Sequence, residues 1–200
     1  SSDSAKVVYV GDQLSDTVDE LFSVSIRSKC DGVPATYVGT SGDDEFTGTN
    51  GDDAFLLYGG DDTVYAKKGD DRICGGKGND TLNGGQGEDR IFGGNGHDVI
   101  NGGGQPDHIE GDAGNDTIAS GGGADYVDGG EGDDTIEGST GADTILGRDG
   151  NDLLKGNAGN DELRGGPGAD TLKGGTKTDI CYGGSGSDAA TACETTISVP

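Results

Sequence analysis

The sequence predicts an all-β protein, a β-solenoid of stacked coils with short caps, from three observations. A nine-residue unit is read seventeen times from Ser41 to Cys193 without slippage, the mark of a repeat architecture. The sixth place of the unit is apolar in nearly every copy: Phe46, Phe55, Val64, Ile73, Leu82, Ile91, Ile100, Ile109, Ile118, Val127, Ile136, Ile145, Leu154, Leu163 and Leu172, then Cys181 and Ala190. Paired glycines such as Gly84-Gly85 and Gly93-Gly94 close most copies and allow the backbone angles of tight turns.

Cut at Ser41 and at every ninth residue after it, each copy reads x-G-x-D-x-U-x-G-G, with U apolar. Lys77–Gly85 (KGNDTLNGG), Gln86–Gly94 (QGEDRIFGG) and Ala158–Gly166 (AGNDELRGG) are full copies. The x-U-x segment is expected to be a strand of about three residues with its central side chain inward. Two copies, each a strand and a turn, close one coil of eighteen residues. The array then makes about 8.5 coils, roughly 40 Å long at about 4.8 Å per coil.

Residues 1 to 40 precede the array and read as a β-rich cap. Val7–Val10 and the alternating Phe22–Ile26 are strand-like, Gly11–Glu20 is an acidic connection with room for a helical turn, and Ala35–Val38 suits a third strand leading into the repeats. Leu57-Tyr58 and Ala66-Lys67 replace the glycine pair early in the array, where Phe46 and Phe55 are also bulky, so this region reads as the seam with the cap. Gln105 with Pro106, and Lys177, break the turn pattern later, and metal sites are least expected at those turns. Residues 194 to 200 alternate through Thr195-Thr196-Ile197-Ser198-Val199 and read as a closing strand over an otherwise open sheet edge.

Cys30, Cys74, Cys181 and Cys193 have no zinc spacing. An even count in a chain of extracellular character favours disulfides, and four cysteines allow three connectivities. The preferred one joins Cys30 to Cys74 and Cys181 to Cys193, one staple per end. Composition sets two further bounds. Gly is 43 of 200 residues and only 29% are apolar, which excludes a large globular core. The formal charge of -25 makes nucleic acid a poor partner and opposes compaction unless cations bind. No run reaches the apolar length of a membrane span, and no leader pattern is present. A chain starting at Ser1 suits a mature form after cleavage.

The fourth place is Asp in every copy: Asp44, Asp53, Asp62, Asp71, Asp80, Asp89, Asp98, Asp107, Asp116, Asp125, Asp134, Asp143, Asp152, Asp161, Asp170, Asp179 and Asp188. Shifted by two residues the unit is G-G-x-G-x-D-x-U-x, and the chain resembles the RTX family of calcium-binding nonapeptide repeats over about three quarters of its length. That resemblance implies a right-handed parallel β-roll. Calcium takes six to eight oxygens and tolerates backbone carbonyls, whereas magnesium demands a tight octahedron. One copy offers a carboxylate and turn carbonyls, about half a shell, and the copy eighteen residues later offers the rest. Asp80 would then share an ion with Asp98, and Asp98 another with Asp116. Nine odd copies leave eight gaps and eight even copies seven, a ceiling of about 15 calcium ions. Turn capping by side chains falls instead to the variable third place.

His97 and His108 have no Ser or Cys partner in register, so no enzyme is expected. Fifth-place Thr63, Thr81, Thr117, Thr135, Thr144 and Thr171 are broken by Arg72, Arg90, Tyr126 and Glu162, which argues against an ice-binding threonine array. The expected function is a secreted or cell-surface calcium-binding protein with a structural, matrix or filament role. The alternatives are a calcium-folded module of a larger toxin, protease or adhesin, or a binding module whose specificity lies in residues 1 to 40. The staples and end caps favour a complete unit. Strand-like termini beside open solenoid ends suit a homo-oligomer stacked end to end.

Overall fold

In a computed structural model, residues 29–197 are described. They contain strands and turns and no helix, so none is long and apolar enough to cross a membrane. The expected strands at Val7–Val10 and Phe22–Ile26 lie outside the described residues.

Two parallel sheets are wound from alternate copies. One has nine strands, running from Glu45–Thr47 to Ala189–Thr191, and the other ten, from Tyr37–Val38 to Thr195–Ile197. Partners lie eighteen residues apart, as in Ile100 with Ile118 and Leu163 with Cys181. Both sheets turn their sixth-place side chains into one core, from Phe46 to Cys181, in which Ile73, Ile91 and Ile145 have no exposed surface. The β-solenoid of eighteen-residue coils is therefore as the period implies.

Strand length is not. From Thr63–Lys68 to Ile180–Ser185 each strand has six residues, taking in the fifth to ninth places and the first of the next copy. The glycine pair does not end the strand, because it continues the pairing: Gly103 aligns with both Gly85 and Gly121. Alternation along the longer strand turns the eighth place inward as well as the sixth. Gly75, Gly84 and Gly93 are buried, and Leu57, Ala66 and Ser120 at the same place are 0% exposed.

The turn glycines are required by space. Gly150 has φ +145°, and a Cβ there would lie 2.0 Å from the carbonyl oxygen of Gly132 in the coil before. Gln105 (φ 79°) and Lys177 (φ 87°) keep a positive φ, smaller than that of Gly150, where glycine is missing, so the turn survives the substitution at a conformational cost.

Each end carries structure outside the regular copies. A hairpin pairs Lys29–Cys30 with Val33–Pro34 around a left-handed Asp31-Gly32 turn. It rests on the outer face of the ten-stranded sheet, held by the Cys30–Cys74 disulfide and by Asp31 facing Arg90 at 3.2 Å. Tyr37–Val38 then joins that sheet beside Phe55-Leu56, and the Tyr37 ring stacks on Phe55 at 4.5 Å. Gly32–Thr40 is thus a degenerate copy, with Tyr37 at the sixth place, Gly39 at the eighth and Ala35 where the aspartate would be. At the other end Thr195–Ile197 pairs with Ile180–Tyr182 after a shorter coil of fifteen residues, beside the Cys181–Cys193 disulfide. Closing loops of 44 and 12 residues, these bonds contribute about 4 and about 3 kcal/mol in the chain-entropy account.

The interruptions in the threonine series, Arg72, Arg90, Tyr126 and Glu162, all lie on the ten-stranded sheet. The nine-stranded sheet lines up Thr63, Thr81, Val99, Thr117, Thr135, Leu153 and Thr171. Beside that column stand Tyr65 and the ion pair Lys155–Glu137, so the face is no uniform hydroxyl array.

Two substitutions read the turn constraint. Gly150→Ala is expected to destabilise the folded chain by about 3 kcal/mol or more, through clash and strain together. Lys177→Gly is expected to stabilise it by about 0.5 to 1 kcal/mol, as strain relief exceeds the added backbone entropy. Denaturant unfolding under identical conditions checks both, and an unchanged midpoint for Gly150→Ala would contradict the packing described.

Candidate metal centre

Because the fourth, sixth and eighth places share one side of the strand, each aspartate enters the interior with the apolar residue. Asp62, Asp98, Asp116 and Asp143 are each 1% exposed. A buried carboxylate needs donors, and the stacked coils supply one. The backbone N–H of Asp44 donates to Oδ1 of Asp62 at 2.7 Å, Asp62 to Asp80 at 2.8 Å, and Asp80 to Asp98 at 2.8 Å. The bonds continue through Asp98, Asp116, Asp134, Asp152 and Asp170 to Asp188. On the opposite edge they run from Asp53 through Asp71, Asp89, Asp107, Asp125, Asp143 and Asp161 to Asp179. There Glu194 ends the series, its carboxylate accepting from the N–H of Asp179 in place of a further aspartate.

Third-place side chains make a second ladder of opposite sense. Asn79 Oδ1 accepts the N–H of His97 at 2.8 Å, and His97 Nδ1 accepts the N–H of Asn115 at 2.8 Å. This corrects the expectation of caps within one turn. The side chain reaches the next coil because equivalent turns stack at the eighteen-residue register.

The other oxygen of each aspartate is stranded. Oδ2 of every fourth-place aspartate from Asp62 to Asp179 is buried with no hydrogen-bond donor among the described residues. Where the eighth place of the preceding copy is glycine, Oδ2 faces that glycine. A Cβ on Gly75 would lie 2.4 Å from Asp80 Oδ2 and 2.4 Å from the Gly93 carbonyl oxygen of the next coil. The corresponding distances are 2.5 Å and 2.5 Å for Gly111, facing Asp116 and Gly129. At each such glycine a free carboxylate oxygen and a carbonyl oxygen one coil on thus converge on a backbone position that has no room for a side chain.

Electrostatics oppose the empty arrangement. Burial raises Asp98 to about 7 against the pull of its hydrogen bond from Asp80, and the Asp116 and Asp80 carboxylates add repulsion. Burial likewise takes Asp107 to about 8, with Asp89 and Asp125 adding to it, and Asp116 to about 6. The carboxylates therefore demand either protons or a cation.

A divalent cation that accepts backbone oxygen fits this donor set. Among the described residues no three His, Cys, Asp or Glu side chains converge, so the oxygens on offer at each turn are one carboxylate and backbone carbonyls. One carboxylate oxygen per turn with neighbouring carbonyls matches the hard-oxygen chemistry of calcium. The turns at Gln105 and Lys177 keep this geometry, since Asp107 and Asp179 are buried with the same free Oδ2. Asp188 is only half-buried. Asp44 and Asp53 differ in kind. Thr40 donates to Asp44 Oδ2 through its N–H (2.6 Å) and hydroxyl (3.1 Å), and Thr49 does the same for Asp53 (2.7 and 2.9 Å). Residue pattern alone did not single out these threonines, nor the close approach of carboxylate and carbonyl at the eighth-place glycines. A degenerate copy at Gly32–Thr40 was the available signal for Thr40.

A parallel solenoid with a buried, half-satisfied carboxylate repeated along both edges belongs to the class of β-solenoid repeat proteins. The model of the RTX calcium-binding nonapeptide repeat matches overlapping segments from residue 38 to residue 189, and the chain belongs to that family. Its repeats bind calcium. No curated protein matches the chain.

The raised carboxylates make the metal-free protein acid-stabilised. Their folded values lie above the ordinary 3.8, so the stability they contribute is complete below about pH 4 and is lost as pH rises through about 6 to 8. Melting followed by circular dichroism in calcium-free buffer is expected to show a midpoint falling steadily from pH 5 to pH 8. Excess calcium is expected to remove the fall. A flat metal-free profile over that range would count against the buried charge described.

Proposed function

We propose that this protein is a secreted, calcium-dependent structural solenoid. Asp62 to Asp179 each give a free Oδ2 to a calcium ion whose remaining ligands are carbonyls of the same turn and of the next coil. The observation that carries this reading is the row of buried carboxylate oxygens without donors, repeated on both edges. Calcium supplies the positive charge missing from a chain of net charge -25 and ties each coil to its neighbour. Two disulfides support an oxidising, extracellular setting. No catalytic step enters this reading: His97 Nδ1 accepts a backbone N–H, and His108 pairs with Glu110 at 2.9 Å. A structural role in an envelope, matrix or filament suits a rod whose end strands, Tyr37–Val38 and Thr195–Ile197, pair on one side only among the described residues.

At pH 8 in excess chelator the chain is expected to lose most of its β-signal and to regain it cooperatively on addition of calcium. An unchanged spectrum in chelator would sink the proposal. Equilibrium dialysis of Asp116→Asn is expected to show about one or two ions fewer than the unsubstituted protein, and Asp188→Asn a smaller loss. Equal losses would argue against ligation shared between coils.

A further inference from the structure

We infer that the first coil is built to fold without metal and acts as the template on which the metal-dependent coils stack. The inference rests on the calcium reading of Asp62 to Asp179 and separates Asp44 and Asp53 from it. In both of these the oxygen that is stranded elsewhere already has two donors, the N–H and hydroxyl of a ninth-place threonine. Each hydroxyl also accepts the N–H of Gly42 or Gly51 at 3.1 and 3.2 Å, and its proton is shared between the carboxylate and the carbonyl oxygen of that same glycine. Lys67 adds a fixed cation nearby, its ammonium donating to the Gly48 carbonyl oxygen at 2.8 Å. The chain's own hydroxyls and amides thus satisfy, in the first coil, the carboxylate oxygen that later turns leave without a donor.

Backbone and core agree with this. Every ninth-place residue from Tyr58 to Gly184 has positive φ, whereas Thr40 and Thr49 do not, which is what frees their N–H groups to face the aspartate. The first strands are correspondingly short, Glu45–Thr47 and Ala54–Leu56. Three aromatic rings meet in the core here: Tyr37 lies 4.5 Å from Phe55 and 5.8 Å from Phe46, with Leu57 and Ala66 filling the eighth place beside them. The Cys30–Cys74 disulfide ties the hairpin to the third strand of the same sheet. In a linear repeat the first unit bears the nucleation cost and each later one adds to an existing surface. A self-sufficient first coil provides that surface before any calcium is bound, with a growing edge that begins at Asp62.

Hydrogen exchange by mass spectrometry on the oxidised full chain at pH 7.5 tests this. In excess chelator, amides of Tyr37–Val38, Glu45–Thr47 and Ala54–Leu56 are expected to exchange at least about tenfold slower than an unstructured chain, while those from Thr81 onward do not. Thr40→Ala with Thr49→Ala is expected to abolish the residual protection, and Thr40→Ser with Thr49→Ser to keep it. In calcium, both double variants are expected to retain protection from Thr81 onward. Exchange of the whole chain in chelator would overturn the template while leaving the calcium reading intact. Protection of the whole chain in chelator would overturn both, since no segment would then be set apart from the rest.

Discussion

Each coil is fastened to the next through a buried carboxylate that finds a partner for one oxygen and none for the other. Oδ1 is taken by the N–H of the aspartate one coil earlier, a bond that recurs along both edges. Oδ2 is held in the interior by the same strand geometry, next to a glycine that has no room for a side chain. A buried carboxylate with half its hydrogen bonds missing destabilises the state that contains it. The arrangement is therefore incomplete without a proton or a cation, and the fold is tied to whichever is present.

The rest of the molecule follows from how little else holds a coil together. In most copies one apolar side chain, most often Ile or Leu, is all that lies between two sheets whose remaining inward places are aspartate and glycine, Leu57, Ala66 and Ser120 being the exceptions. The strands are stitched by backbone pairing and by the third-place side chains, both of which act only between coils already stacked. Stability is thus shared between neighbours and absent from any single unit, as in other repeat proteins. The ends, which lack a neighbour, are treated differently: aromatic rings, threonine donors and a disulfide at one, Glu194 and a second disulfide at the other.

The period, the inward side of each copy and the seventeen aspartates were legible because they depend on pattern alone. A coil of eighteen residues follows from a nine-residue unit that must return to its own sheet, and the pairing of Ile100 with Ile118 is that arithmetic in space. One staple per end was also legible, since the cysteines cluster toward the ends of the array. The six-residue strand was not, because glycines that read as turn formers also sustain parallel pairing. Nor was the degenerate copy at Gly32–Thr40, whose aspartate is replaced by Ala35.

By itself, then, the sequence determined the repeat, the parallel solenoid and the column of carboxylates, since identical residues at a constant interval must stack as identical neighbours. Only the tertiary structure decided which oxygen of each aspartate is spent and which is left. It also decided that Thr40 and Thr49 supply the donors missing in later coils, and that the hairpin of Cys30 lies on a sheet face. These depend on the direction of an N–H, the sign of φ at the ninth place and the distance between atoms eighteen residues apart. All three are set when one coil closes against the next.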